Sequence, residues 1–84
     1  MTKGEYRVGI GFNPSNDDMV GKIKRQAAHL IDLVEAIPDA LIEDETKYHE
    51  VRRLKSLAQT EIESAAMWAV KAATKPAPTG GKDE

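Results

Sequence analysis

The chain has 84 residues, no cysteine, 31% charged residues and a formal net charge of −2. That length implies one domain with a modest core, and the lack of thiols excludes disulfide staples and thiolate metal sites, which makes a cytosolic protein that self-associates for stability the expectation. The slight acidity argues against a duplex nucleic-acid binder, and neither a membrane span of about 18–20 apolar residues nor a signal-peptide core is present.

Taken in order, Tyr6, Val8, Ile10 and Phe12 alternate with Arg7, Gly9 and Gly11. Period two predicts an extended N-terminal arm or short strand within residues 1–14, lying on the rest of the chain. Gly9-Ile10-Gly11 is no dinucleotide fingerprint, because the third glycine is missing and 84 residues hold no βαβ unit. Asn13-Pro-Ser-Asn-Asp-Asp18 reads as a turn and a helix start, with Ser15 or Asn16 as the cap. A first helix then runs over about residues 15–36. Val20, Ile23, Ala27, Leu30, Val34 and Ile37 recur as a coiled-coil seam, with Met19 and Ile31 widening the apolar face and Lys22, Lys24 and Arg25 beside it. Pro38 ends this helix, since proline disfavours a helical residue before it.

After a connection in which Leu41 and Ile42 cover the base of the core, a second helix is predicted over about residues 44–74. Its best-defined stretch is Leu57–Ala73, free of Gly and Pro. Ala58, Ile62, Ala65, Ala66, Ala69 and Ala73 form an arc of small residues on which the first helix can lie closely. Leu57 and Trp68 flank that arc, and Ser56, Gln59, Thr60 and Glu63 lie on the polar side. The short connection makes the two helices antiparallel. The fold expected is therefore all-α: a helical hairpin over residues 15–74, preceded by the arm and followed by a disordered tail over 75–84, where Pro and Gly cannot sustain a core.

Two helices cannot bury both apolar stripes. Leu54, Leu57 and Trp68 are left over, and such a patch is rare on a monomer. A homo-oligomer of hairpins is the expectation; the alternative is that the N-terminal arm folds over the patch.

Constellations for catalysis are missing from the pattern. His29 and His49 have no second ligand at i+4, so no metal site is expected, and Glu61 and Glu63 point to different sides of their helix. No nucleophile motif occurs, and an enzyme is not expected. Basic and polar residues are more suggestive. Arg52, Arg53, Ser56, Gln59 and Thr60 share one side of the second helix, and Lys24 and Arg25 form a basic spot shortly after Phe12. An aromatic ring can stack on a base while an ammonium meets its phosphate. The plain reading of each is a solvated helix face, with the arginines paired to acids such as Glu50.

The run Thr60-Glu-Ile-Glu-Ser-Ala-Ala-Met-Trp-Ala-Val-Lys-Ala-Ala-Thr-Lys-Pro76, with Phe12-Asn-Pro-Ser15 and Ile23-Lys24 ahead of it, resembles the small phage hairpin proteins that act as cyclic-oligonucleotide sponges. The resemblance covers about residues 12–76. It implies a hexamer of hairpins in the cytoplasm of an infected bacterium, sequestering the cyclic di- and trinucleotide second messengers of CBASS immunity without cleaving them and without a cofactor. Related hairpins take up cyclised ADP-ribose messengers of Thoeris immunity, which is one alternative; an adaptor hairpin binding a protein partner through Trp68 is another. By the same resemblance, the dinucleotide pocket lies between protomers and uses Phe12, Asn13, Lys24 and Arg25. The trinucleotide pocket uses Arg53, Gln59 and Thr60, although Gln59 stands where a basic residue often occurs. Leu54, Leu57 and Trp68 are the expected oligomer interface.

Overall fold

Residues 1–40 and 43–78 are described by a computed structural model. They form three helices, α1 (Lys3–Val8), α2 (Asp18–Glu35) and α3 (Glu45–Ala73), and no strand among the described residues. Helices α2 and α3 correspond to the expected hairpin; α2 starts three residues later than the predicted 15 and stops one short of 36, and α3 is one residue shorter at each end than the predicted 44–74. Expectations for Leu41 and Ile42, and for the tail beyond residue 78, lie outside the described residues.

The extended arm is the first correction, because Lys3–Val8 is helical. Local capping chemistry outweighs the alternation of apolar residues. Thr2 and Glu5 form a reciprocal capping box: the Thr2 hydroxyl accepts from Glu5 N at 3.0 Å and Glu5 Oε1 accepts from Thr2 N at 2.9 Å. Gly9 closes the helix in the left-handed region at φ +65, where a side chain would be strained. The second correction concerns the start of α2. Asp17, not Ser15 or Asn16, caps it, accepting from Met19 N at 2.8 Å. Asn16 instead takes the positive φ of the turn.

Cross-helix bonds give the topology. Ile31 lies opposite Gln59 and the C-terminal end of α2 lies opposite Lys55, so α2 and α3 run antiparallel. Helix α1 lies over the seam between them. Lys3 meets Glu35 and Gln59, Gly4 meets Asp32, and Arg7 meets Thr60 and Glu63. It therefore runs parallel to α3 and antiparallel to α2. Gly4 is buried because α1 crosses α2 in near contact; a Cβ there would overlap the Ala28 carbonyl.

This third helix rotates both buried stripes. On α2 the buried residues are Val20, Lys24, Ala28 and Ile31, whereas the predicted seam residues Leu30 and Ile37 are exposed and Ile23, Ala27 and Val34 half-buried. On α3 the buried residues are Gln59 and Ala66, and Ala65 of the predicted arc is exposed. A helix that contacts two neighbours buries the side lying between them, and a two-helix wheel is blind to the second neighbour. Lys55 finishes the hairpin end, donating to Glu35 O (3.1 Å), Ile37 O (2.6 Å) and Asp39 Oδ1 (3.0 Å), so its ammonium neutralises free carbonyls at the negative end of α2.

Helix α1 does not cover the leftover apolar patch. Leu54, Leu57, Met67 and Trp68 remain exposed, Trp68 at 66%. No helix among the described residues is long and apolar enough to cross a membrane.

Candidate ligand-binding site

The chain between α1 and α2 is built to present one ring and one ammonium. Past Gly9, Ile10 N donates to Glu5 O at 3.0 Å and Phe12 N to Gly9 O at 2.9 Å, which curls the backbone into a tight turn. Asn13 then locks the approach to α2. Its Oδ1 accepts from Ser15 Oγ at 3.1 Å and Asp17 N at 3.3 Å, and its Nδ2 donates to Asp17 O at 3.0 Å. Asn13 is thus spent on holding the turn.

Lys24 reaches back from α2 beneath that turn. Its Nζ donates to Gly9 O at 3.0 Å and to Phe12 O, and lies 5.4 Å from the centroid of the Phe12 ring. Lys24 is only 8% exposed, while Phe12 above it is 70% exposed. Burial of an ammonium is costly unless it is paired. Arg7, Lys3, Lys55, Arg52 and Arg53 all have carboxylate partners, but no ion pair among the described residues involves Lys24. Two neutral carbonyls and a ring face satisfy its donors only in part, since an ammonium carries three.

A groove of about 390 Å³ opens beside it, lined by Val8, Lys24, Glu63, Ala66, Met67 and Lys71 among others. Its floor is apolar, its carboxylate Glu63 is paired with Arg7, and its two lysines are in no ion pair among the described residues. Such a groove suits a ligand with flat apolar rings and anionic groups. Lys71 and Met67 entered neither predicted site. Their signal was available in the spacing Met67, Val70, Lys71, Thr74, which puts them on one face of α3.

Other predicted residues are dispersed. Arg25 is exposed and lines a separate hollow with Glu5, Ile10, His29 and Asp32, on the other side of α1 from the groove. Arg53 forms a two-pronged bond to Glu50, at 3.0 and 2.7 Å, which raises the arginine pKa and lowers that of the carboxyl. Thr60 accepts from Arg7 Nη2 at 3.3 Å. Gln59, expected on the polar flank, is 1% exposed. Its amide donates to Ile31 O at 3.2 Å and Glu35 Oε1 at 3.0 Å and accepts from Lys3 Nζ at 2.9 Å. Arg53, Gln59 and Thr60 are thus bonded to separate partners within the protomer, and Gln59 is a core residue joining all three helices.

A short capping helix over an antiparallel hairpin, with an aromatic ring and a buried ammonium at the junction, defines a small all-helical binding protein. The family profile described as the Acb2/Tad1 hairpin domain matches residues 5–74, and the chain belongs to that family, the sponges that counter CBASS and Thoeris immunity. Members of this family are binding proteins for cyclic nucleotide messengers. Comparison with curated proteins and with solved structures gave no match.

Proposed function

We propose that this chain is a phage sponge that sequesters cyclic dinucleotide messengers of CBASS immunity in the cytoplasm of the infected bacterium. One observation carries the reading: an exposed ring, Phe12, lies over a buried ammonium, Lys24, that has no carboxylate partner among the described residues. A base stacks on the free face of the ring while the remaining ammonium donor meets the phosphate. Asn13 and the Gly9 turn hold the pair in place before the ligand arrives, which lowers the ordering cost of binding.

A sponge needs no bond-breaking step. Removal of messenger follows from stoichiometric tight binding in a pocket between protomers, where exclusion of water strengthens the contacts to phosphate. Leu54, Leu57 and Trp68 are the surface through which hairpins associate, as a hexamer. The dinucleotide is favoured over the trinucleotide because Arg53, Gln59 and Thr60 are already bonded within the protomer. A trinucleotide site there has to break those bonds first.

Calorimetric titration of the full chain with cyclic dinucleotides, cyclic trinucleotides and cyclised ADP-ribose tests this directly. Uptake of a dinucleotide, recovered intact, is expected. A Phe12→Ala/Lys24→Ala variant should lose that binding while its mass in solution stays that of the parent. Preference for cyclised ADP-ribose reassigns the protein to Thoeris; binding to none of the three sinks the reading.

A further inference from the structure

The two sides of the hairpin are unlike. Helix α1 rests on the flank of α2 that carries Ala28, Asp32 and Glu35, and the groove beside Lys24 opens next to it. The flank turned away from α1 carries a second apolar stripe. Met19, Ile23, Gln26, Leu30, Leu33 and Ile37 follow a four-three spacing along α2, with Gln26 the one polar member. Met19, Leu30, Leu33 and Ile37 are exposed, Leu33 at 58%. On the same side, α3 shows small side chains: Ala58 and Ala69 are half-buried, Ala65 and Ala72 exposed. A hollow of about 270 Å³ lies where Val34 and Ile37 of α2 meet Val51, Leu54 and Ala58 of α3. One helix of this face thus carries a row of large side chains and the other a row of small ones.

We infer that this face seats a second copy of the chain, related by a two-fold axis parallel to the helices. This goes beyond association through Leu54, Leu57 and Trp68, because it gives the copy a seat and a direction. Such an axis lays α2 of each protomer antiparallel over α3 of the other, so large meets small on both halves of the interface. Close packing favours that arrangement. A two-fold axis across the helices sets α2 on α2, large against large. Register follows from the hairpin itself. Gln59 donates to Ile31 O, so these two residues share a level, and the axis preserves level. Leu30 then enters between the partner's Ala58 and the partner's Ala65, and Ile23 between the partner's Ala65 and the partner's Ala69. The surface is sufficient. The protomer exposes 6211 Å², against about 4,900 Å² for a compact monomer of its mass, and a stable interface takes about 800 Å² from each partner. The chain's own C-terminal end does not suit the face: Thr79-Gly-Gly-Lys-Asp-Glu84 has no apolar side chain.

Sedimentation of the full-length protein carrying Leu30→Glu or, separately, Ala65→Lys tests the seat. Ala65 is exposed in the protomer, and a lysine one turn after Glu61 supports the helix, so Ala65→Lys should keep its helicity in circular dichroism. Each variant should fall to half of the parent's mass or lower. An equal mixture of the two should regain mass, because the new carboxylate of one chain meets the new ammonium of the other. If Leu30→Glu loses helicity, Ala65→Lys alone decides. Neither position lines the groove beside Lys24, so dinucleotide uptake is read separately. Single variants of parent mass, beside a lighter Leu54→Glu/Leu57→Glu, overturn this seat and leave association through the other surface standing. Lighter variants whose mixture stays light overturn the pairing of α2 on α3. A parent already monomeric at micromolar concentration overturns both interfaces.

Discussion

Gly4 shows how much of the assembly can rest on a missing methyl group. Its amide donates to Asp32 Oδ1 at 2.7 Å, and its Cα faces the Ala28 backbone, where no Cβ fits. Gly4→Ala would force α1 off α2 or distort both, at a cost of about 1–3 kcal/mol. The expected result is a lowered Tm in thermal unfolding, with the backbone of residues 3–12 losing protection in hydrogen exchange before the hairpin does. Gln59 is the opposite case, a polar side chain retained in the interior because every one of its groups finds a partner. Its position also explains the reach of α1: Lys3 is drawn across to the same amide and to Glu35.

At the scale of the element, α1 is held by the close approach of Gly4 to α2 and by polar bonds at either end, Lys3–Glu35 and Arg7–Glu63, both at 2.8 Å. The Glu35 carboxyl is held down to about 2 from its usual 4.5, first by the bond from Lys3 and then by that from Gln59, against the opposing effect of desolvation. A carboxyl lowered in the folded state stabilises it fully above the unfolded value and ceases to do so as pH falls through the folded one. The contribution of Glu35 is therefore intact above about pH 4.5 and fades towards pH 2. With half of the side chain exposed, solvent screening limits it to about 1 kcal/mol or less. Thermal unfolding of the parent and of Glu35→Gln, followed by circular dichroism across that window, should show the parent's advantage narrowing as the pH drops. An advantage that holds constant down to pH 2 would contradict this account. Since α1 leads directly into the Gly9–Phe12 turn, loosening it also loosens the ring over Lys24.

For the whole molecule, the balance of surface is the telling quantity. The protomer measures 62 × 24 × 13 Å with a radius of gyration of 17.0 Å, where a compact domain of this length has about 12 Å. It exposes 6211 Å², against about 4,900 Å² for a compact monomer of this mass. Only Val20, Ala28, Ile31 and Ala66 are buried apolar residues among those described. Val34, Ile37, Val51 and Leu54 line an open apolar hollow at one end of the hairpin, and Trp68 and Met67 stand exposed towards the other. Burial of these faces against further copies offsets the conformational entropy that so small a core leaves uncompensated. A Leu54→Glu/Leu57→Glu variant should sediment at a lower mass than the parent and unfold at a lower temperature. A parent that is already monomeric at micromolar concentration, or a variant of unchanged mass, would count against association through this surface.

Much of this was legible from residue order alone. Long apolar periodicity, Pro38 and the glycine-free run to Ala73 determine two helices, where the first of them stops and their antiparallel pairing, because these depend on local backbone preference and a short connection. Phe12 and Lys24 could be paired by resemblance, and the structure brings them within 5.4 Å. Helix α1 was legible too, in Thr2, Glu5 and Gly9, but the alternating apolar residues gave a competing pattern over the same few positions. What only the tertiary structure decided is which side of each helix faces inward. Placing α1 over the seam rotates the buried stripes, takes Gln59 into the interior, buries Lys24 with no carboxylate partner among the described residues and leaves Trp68 beside Lys71 in the open. A helical wheel records the angles between side chains along one helix; the number of neighbours that helix must face is a property of the packed chain.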